Sequence, residues 1–197
     1  MTDYDRPVSV ERREVGEPES RRANGADWDR YADEYQATHG EFLGDVGFIW
    51  GPERLTEAEA GALGPVDGRD VLEIGSGGGQ CSRWVRSRGG RPVGVDLSHR
   101  QLQHSRRIDA ETGIAVPSVL GTATQLPFRD DTFDVVFSAF GALQFVAEID
   151  VAIAEIARVL RPDGRFAFSI THPTRWMFPD DPGPAGLQAS QSYWDRT

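Results

Sequence analysis

Gly75, Gly77, Gly79 and, seventeen residues later, Asp96 carry the clearest chemical signal in this chain. The glycines close the segment VLEIGSGGG (Val71–Gly79), and Asp96 closes PVGVD. An apolar run that enters a glycine-rich bend reads as a strand turning sharply into a helix. Glycine tolerates positive φ there, and its missing Cβ lets a ligand approach the backbone. The helix that follows presents N–H groups and a positive dipole end, which suits an anionic group. A carboxylate at the end of the next strand can accept hydrogen bonds from both hydroxyls of a ribose. The alternative is that the glycines only make a turn and Asp96 caps a helix. The acidic Glu73 and the spacing to Asp96 favour the ribose. Four histidines are the remaining candidates for proton transfer. His99 and His104 fall on a predicted helix away from this edge and are expected in solvent. His39 follows an amino-terminal helical pattern. His172, in SITHP after the fifth predicted strand, is the best candidate base.

The elements that would position these residues alternate. Strands are predicted at Asp70–Ile74, Pro92–Asp96, Ser118–Gly121, Phe133–Ser138 and Arg165–Ile170, and helices at Gly79–Arg88, Ser98–Thr112 and Glu148–Leu160. In the last helix Ile149, Ile153, Ile156 and Leu160 form one apolar stripe, and Arg161–Gly164 turns the chain into the fifth strand. Strand runs such as VVF are apolar throughout, as expected when helices cover both faces. Right-handed crossovers then give an α/β, doubly wound, Rossmann-like and mostly parallel sheet. Ahead of it, residues 1–26 are charged and poor in apolar side chains, so a disordered tail is expected. Residues 27–64 read as a helical lid segment, with Trp28, Tyr31, Ala32 and Tyr35 at helical spacing and a second helix from Pro52 to Leu63. Residues 65–197 form the main domain, with its core at 71–168.

Composition narrows the function. The net charge of −10 argues against a general nucleic-acid binder. All 21 basic residues are arginine, so there is no phosphate-cradling lysine. Cys81 is the single cysteine, which excludes an internal disulfide and a thiolate metal cluster; it reads as a small core residue. No segment is long and apolar enough to span a bilayer, and the amino terminus lacks an apolar signal region, so a cytoplasmic protein is expected.

Gln80 stands where the dinucleotide fingerprint requires Gly or Ala, and the spacing is E-x-G-x-G-x-G instead. VLEIGSGGG, GVDLS, GTATQLPFRDDTFDVVFS and EIARVLRPDGRF follow one another in an order that resembles class I S-adenosylmethionine-dependent methyltransferases of the small-molecule type 11 branch. The resemblance runs from about Val71 to Phe168. It implies S-adenosyl-L-methionine as cofactor, a small-molecule methyl acceptor, and no metal. Glu73 and the Gly75–Gly79 loop would contact the methionine part, Asp96 the ribose, and Leu97 the adenine face. Thr122 and Ala123 would lie at the adenine edge, and Ser138 near the reacting methyl. Tyr31 and Tyr35 are candidates to close over the cofactor. Trp50, Phe140, Phe145 and Trp176 are candidates for an acceptor pocket. Alternatives are a module that binds the cofactor without turnover and a nicotinamide-dependent oxidoreductase. The family usually has seven strands, and this chain has room for five, with SYWDRT as a short further strand at most. The strand at Arg165–Ile170 is thus expected to leave an edge that is covered by the tail, covered by a partner as in a homodimer, or unstable.

In that family an aspartate commonly stands where Thr122 stands, and a hydroxyl accepts without charge. Thr122→Ala should therefore weaken S-adenosylmethionine binding less than Asp96→Ala, as read by isothermal titration. A larger loss at Thr122 would overturn the assignment.

Overall fold

Five apolar segments lie side by side, all parallel, in the order β3-β2-β1-β4-β5. The computed structural model describes residues 15–179 and 183–194. The strands are β1 (Asp70–Ile74), β2 (Arg91–Asp96), β3 (Ser118–Leu120), β4 (Phe133–Ala139) and β5 (Leu160–Ser169). The helices are α1 (Glu17–Leu43), α2 (Glu57–Ala60), α3 (Gln80–Ser87), α4 (His99–Thr112) and α5 (Ile149–Val159). The sheet is the expected α/β, Rossmann-like one. Strand order reverses at β1, whose Leu72 pairs with Val93 on one side and Val136 on the other. The crevice at that reversal is where open parallel sheets bind ligands.

Side chains alternate across β1 and β4 and build two cores. Val71, Val135 and Phe137 join Cys81 and Val85 of α3 and the buried Phe48, Trp50 and Leu63. Leu72, Ile74 and Val136 join Leu126 and the Ala152, Ile156 and Val159 face of α5. The expected stripe on α5 is thus only partly correct. Ile156 is buried, but Ile149 and Ile153 are 44% and 42% exposed. Small Ala152 is what meets the sheet, and a pattern that weights bulky residues misses it.

Three other boundaries differ. α1 begins at Glu17, so residues 17–26 are helical where a disordered tail was expected; residues 1–14 lie outside the described ones. The helix expected over Pro52–Leu63 is the single turn of α2. Gly61 ends it with φ of 59°, and Thr56 and Glu59 close its start with reciprocal hydrogen bonds. The Arg161–Gly164 turn is absorbed into β5, which skips register between Phe133 and Val135 and carries Asp163 at φ of 64°.

Contacts divide the chain into two units, residues 17–171 and a second one that includes 172–194. The segment expected as a lid therefore belongs to the same unit as the sheet. In the second unit, the described residues form two short 3-10 turns, Pro173–Met177 and Pro184–Leu187. Ser192–Trp194 are not in a strand, and the rest of SYWDRT lies outside the described residues. β5 is one edge of the sheet, with Phe168 and Ile170 exposed beside it.

The loops after β1 and β4 meet backbone to backbone. A Cβ on Gly141 would stand 2.6 Å from the carbonyl oxygen of Gly75, and one on Gly75 would stand 2.7 Å from the amide of Ala142. Gly141→Ala should therefore cost about 1–3 kcal/mol of stability in urea unfolding. An unchanged midpoint would show that the two loops do not hold each other.

Candidate functional site

β1 delivers its glycine bend to the end of β2. Gly75 and Ser76 donate their N–H groups to the Val95 carbonyl at 2.8 and 3.1 Å. Gly77 N–H donates to Asp96 Oδ2 at 2.7 Å, and Ser98 N–H donates to Asp96 Oδ1 at 2.8 Å. Each carboxylate oxygen keeps acceptor capacity beyond one N–H. Burial raises the Asp96 pKa, and the N–H groups of Ser98, Gly77 and Leu97 oppose that rise.

Above this edge lies a cavity of about 560 Å³, within the ordinary range for small-molecule sites. Its wall includes Gly75, Gly77, Asp96, Leu97, Thr122 and Ala123, six of the expected cofactor residues. It also includes Gly78, Gln80, Gln101 and the Ala139–Ala142 turn. A Cβ on Gly77 would meet nothing nearer than Gln101 Oε1 at 3.9 Å, so the backbone there is open to a ligand. Among the described residues, Ser76 Oγ is the one buried side-chain polar atom without a partner.

Glu73, Gly79 and Ser138 stand elsewhere. Glu73 shares the α3 face of β1 with Val71, and its Oε2 accepts from Ser82 N–H at 2.9 Å and Ser82 Oγ at 2.5 Å. It does not reach the cavity wall, contrary to the expectation. Gly79 serves the turn: its φ is 79°, and a Cβ there would meet Ser105 Oγ at 2.6 Å. Ser138 is fully buried, and its Oγ accepts from Ala142 N–H at 3.3 Å, which braces the β4 loop.

α1 roofs the cavity. Trp28, Tyr35, His39 and Phe42 are on the wall, and Trp28 meets Phe145 edge to face at 5.7 Å. Tyr31 supports from behind, 5.9 Å from Tyr35. Phe140 and Phe145 also line the cavity, whereas Trp50 is core, against Phe48 and Phe137. Trp176's side chain lies outside what is described. α1 rests on α4 through polar contacts. Asp29 Oδ1 accepts from Ser98 Oγ and Arg100 N–H at 2.7 and 2.9 Å, and Gln36 donates to Gln101 at 2.9 Å. Asp33 receives Arg100 and His104, each at 2.7 Å, and these two hold its carboxyl down at about 2. His104 is therefore not in solvent; its side chain is 14% exposed. His172 lies in the second unit, where it heads the turn at Pro173 and accepts from Thr174 N–H.

Sequence patterning missed Arg83. Its side chain is fully buried; Nη1 pairs with Asp109 Oδ1 at 2.8 Å, Nε donates to the Asp45 carbonyl at 2.7 Å, and Nη2 donates to the Gly78 carbonyl. A charge in QCSRWVRS reads as surface, and only the acceptors gathered around it show otherwise. Cys81 is the core residue expected. Burial, and then the neighbouring Glu73, push its thiol up.

Comparison with known proteins agrees with this geometry. Residues 72–168 match the family profile of a methyltransferase domain, type 11. The chain's core belongs to the class I S-adenosylmethionine-dependent methyltransferases, type 11 branch. A demethylmenaquinone methyltransferase of Tropheryma whipplei (strain Twist) is 35% identical over 119 residues, 59% of this chain and 48% of that protein. Methyltransferase GfsG of Streptomyces halstedii is 34% identical over 120 residues, 59% and 43%. The chain thus spans about half the length of these curated relatives. The crystal structure of an S-adenosylmethionine-dependent methyltransferase from Mesorhizobium loti superposes with a TM-score of 0.56 at 30% identity, covering 64% of this chain and 57% of that one. No helix among the described residues is long and apolar enough to cross a membrane.

Glu73 has a consequence for stability. Burial pushes its pKa up to about 8, against the Ser82 hydrogen bonds that lower it. Between the ordinary value of 4.5 and about 8 the folded chain keeps a proton that the unfolded chain has released. Stability should therefore fall as pH rises through that window, and Glu73→Gln should remove that part of the slope. Parallel pH profiles of unfolding for the two proteins would refute it.

Proposed function

We propose that this chain binds S-adenosyl-L-methionine in the roofed cavity and transfers its methyl group to a small, largely apolar acceptor. The observation that carries the reading is Asp96. It is fixed by the Gly77 and Ser98 N–H groups, faces the cavity at the end of β2, and retains an acceptor site on each oxygen for a vicinal diol. The residues present fit the cofactor. Asp96 would hold the ribose, the open backbone at Gly77 would hold the methionine end, and Leu97 would pack against the base. Glu73 and Ser138 act in this reading as braces for α3 and the β4 loop.

When bound, S-adenosylmethionine supplies a methyl carbon already activated by its sulfonium. The protein's share is then to orient the acceptor in line and to exclude water, and orientation alone can supply about 7–11 kcal/mol. Trp28, Tyr35 and Phe145 exclude water from above. Phe42, Ile49 and Phe140 offer apolar wall to the acceptor. For an acceptor that must lose a proton, His39 is the imidazole on the wall, stacked 4.6 Å from Tyr35. In this reading it is a second candidate for the base, beside His172.

Equilibrium titration should show binding of S-adenosylhomocysteine and none of NAD, and Asp96→Ala should abolish it. Radiolabelled methyl transfer to a small-molecule extract fraction, lost in Asp96→Ala, tests turnover. Binding without transfer to any fraction would leave a cofactor-binding module and refute the enzyme; binding of NAD instead would refute both.

A further inference from the structure

Two carboxylates among the described residues face the cavity, and the sequence pattern explains only one of them. Asp96 ends β2; the other, Glu17, is the first residue of α1. Glu17 Oε1 accepts from Thr124 Oγ1 at 2.7 Å and from Thr122 Oγ1 at 3.4 Å, just beyond the end of β3. Oε2 has no hydrogen-bond partner among the described residues. The two hydroxyls therefore hold one oxygen of a carboxylate whose other oxygen is left as an acceptor. The side chain is half-buried on the cavity wall, where an unmatched carboxylate is costly.

The site lies one strand beyond the sugar position. Gly121 N–H donates to the Asp96 carbonyl at 2.9 Å, so the turn carrying Thr122 lies directly beside Asp96. This step rests on the function proposed above. With the ribose at Asp96 and the methionine end over the glycine bend, the base extends toward Thr122, Thr124 and Glu17. A 6-aminopurine presents N–H donors at its exocyclic amine. A 6-oxopurine presents an oxygen there, which would face a carboxylate with no proton between them. We propose that Glu17, supplied by the covering helix rather than by the sheet, accepts a hydrogen bond from the purine amino group and sets the preference for adenine. Seating of α1 and recognition of the base are then one event.

The test is isothermal titration of the full chain and its Glu17→Gln and Glu17→Ala variants with S-adenosylhomocysteine and S-inosylhomocysteine. The original chain should prefer the adenosyl compound by at least about tenfold, the scale of one charged hydrogen bond. Glu17→Gln should bring that ratio within about threefold, because a carboxamide can turn its N–H toward the 6-oxo group. Glu17→Ala should also narrow the ratio, through weaker adenosyl binding. The ratio is taken within each protein, so a loss of foldedness shared by both ligands cancels. If both compounds bind and both variants keep the original ratio, this proposal fails and the pocket assignment stands. If the original chain binds neither compound, the pocket assignment fails and this proposal with it.

Discussion

The hydrogen bond from Gly77 N–H to the Asp96 carboxylate is the constraint on which the site depends. It joins the bend after β1 to the end of β2, so the open backbone and the acid cannot move independently. The bend is also clamped from the other side, where Gly75 presses on Gly141 and Ala142 with no room for a Cβ. Beneath it, Arg83 takes the Gly78 carbonyl and turns one polar group of the loop away from the cavity. A guanidinium with no exposed surface is costly to place there, and it is held by Asp109 and by three backbone carbonyls, of Asp45, Gly78 and Ser105.

The sheet below and the helix above follow different physics. Apolar burial on both faces fixes the central strands β1 and β4. α1 turns Trp28, Tyr35 and Phe42 to the cavity and meets α4 through polar side chains, with Ala32 its one fully buried residue. Its position is set by Asp29, Asp33 and Gln36 on α4, by Asn24 on the Phe145 carbonyl at 2.9 Å, and by Glu17 on the two threonines. Each of these is directional, so the roof is specified in register as well as in place.

The sheet was legible because its strands are apolar runs bounded by glycine and proline; β1 reads from Asp70 to Ile74 both ways. The places of Asp96 and the glycine bend at one edge of the sheet were legible because they follow from backbone chemistry and spacing. What was not legible depends on which face a side chain takes or on partners far along the chain. Glu73 and Ser138 lie in the right strands, yet each is held short of the cavity wall by a local partner, Ser82 for Glu73 and the Ala142 N–H for Ser138. Arg83 looks like a surface residue until acceptors from Asp45 and from α4, both far along the chain, and from the nearby Gly78 surround it. Glu17 and residues 18–26 read as a tail because their composition is charged, and the donors that meet the carboxylates of Asp29 and Glu17 are supplied 69 to 107 residues later.

The polar seat of α1 has a thermodynamic consequence. Parting α1 from α4 would hydrate ions and hydroxyls, which lowers the heat capacity, while wetting Trp28 and Tyr35 would raise it, so the two offset in part. Added electrolyte, which weakens the exposed Asp33–Arg100 pair, loosens that seat.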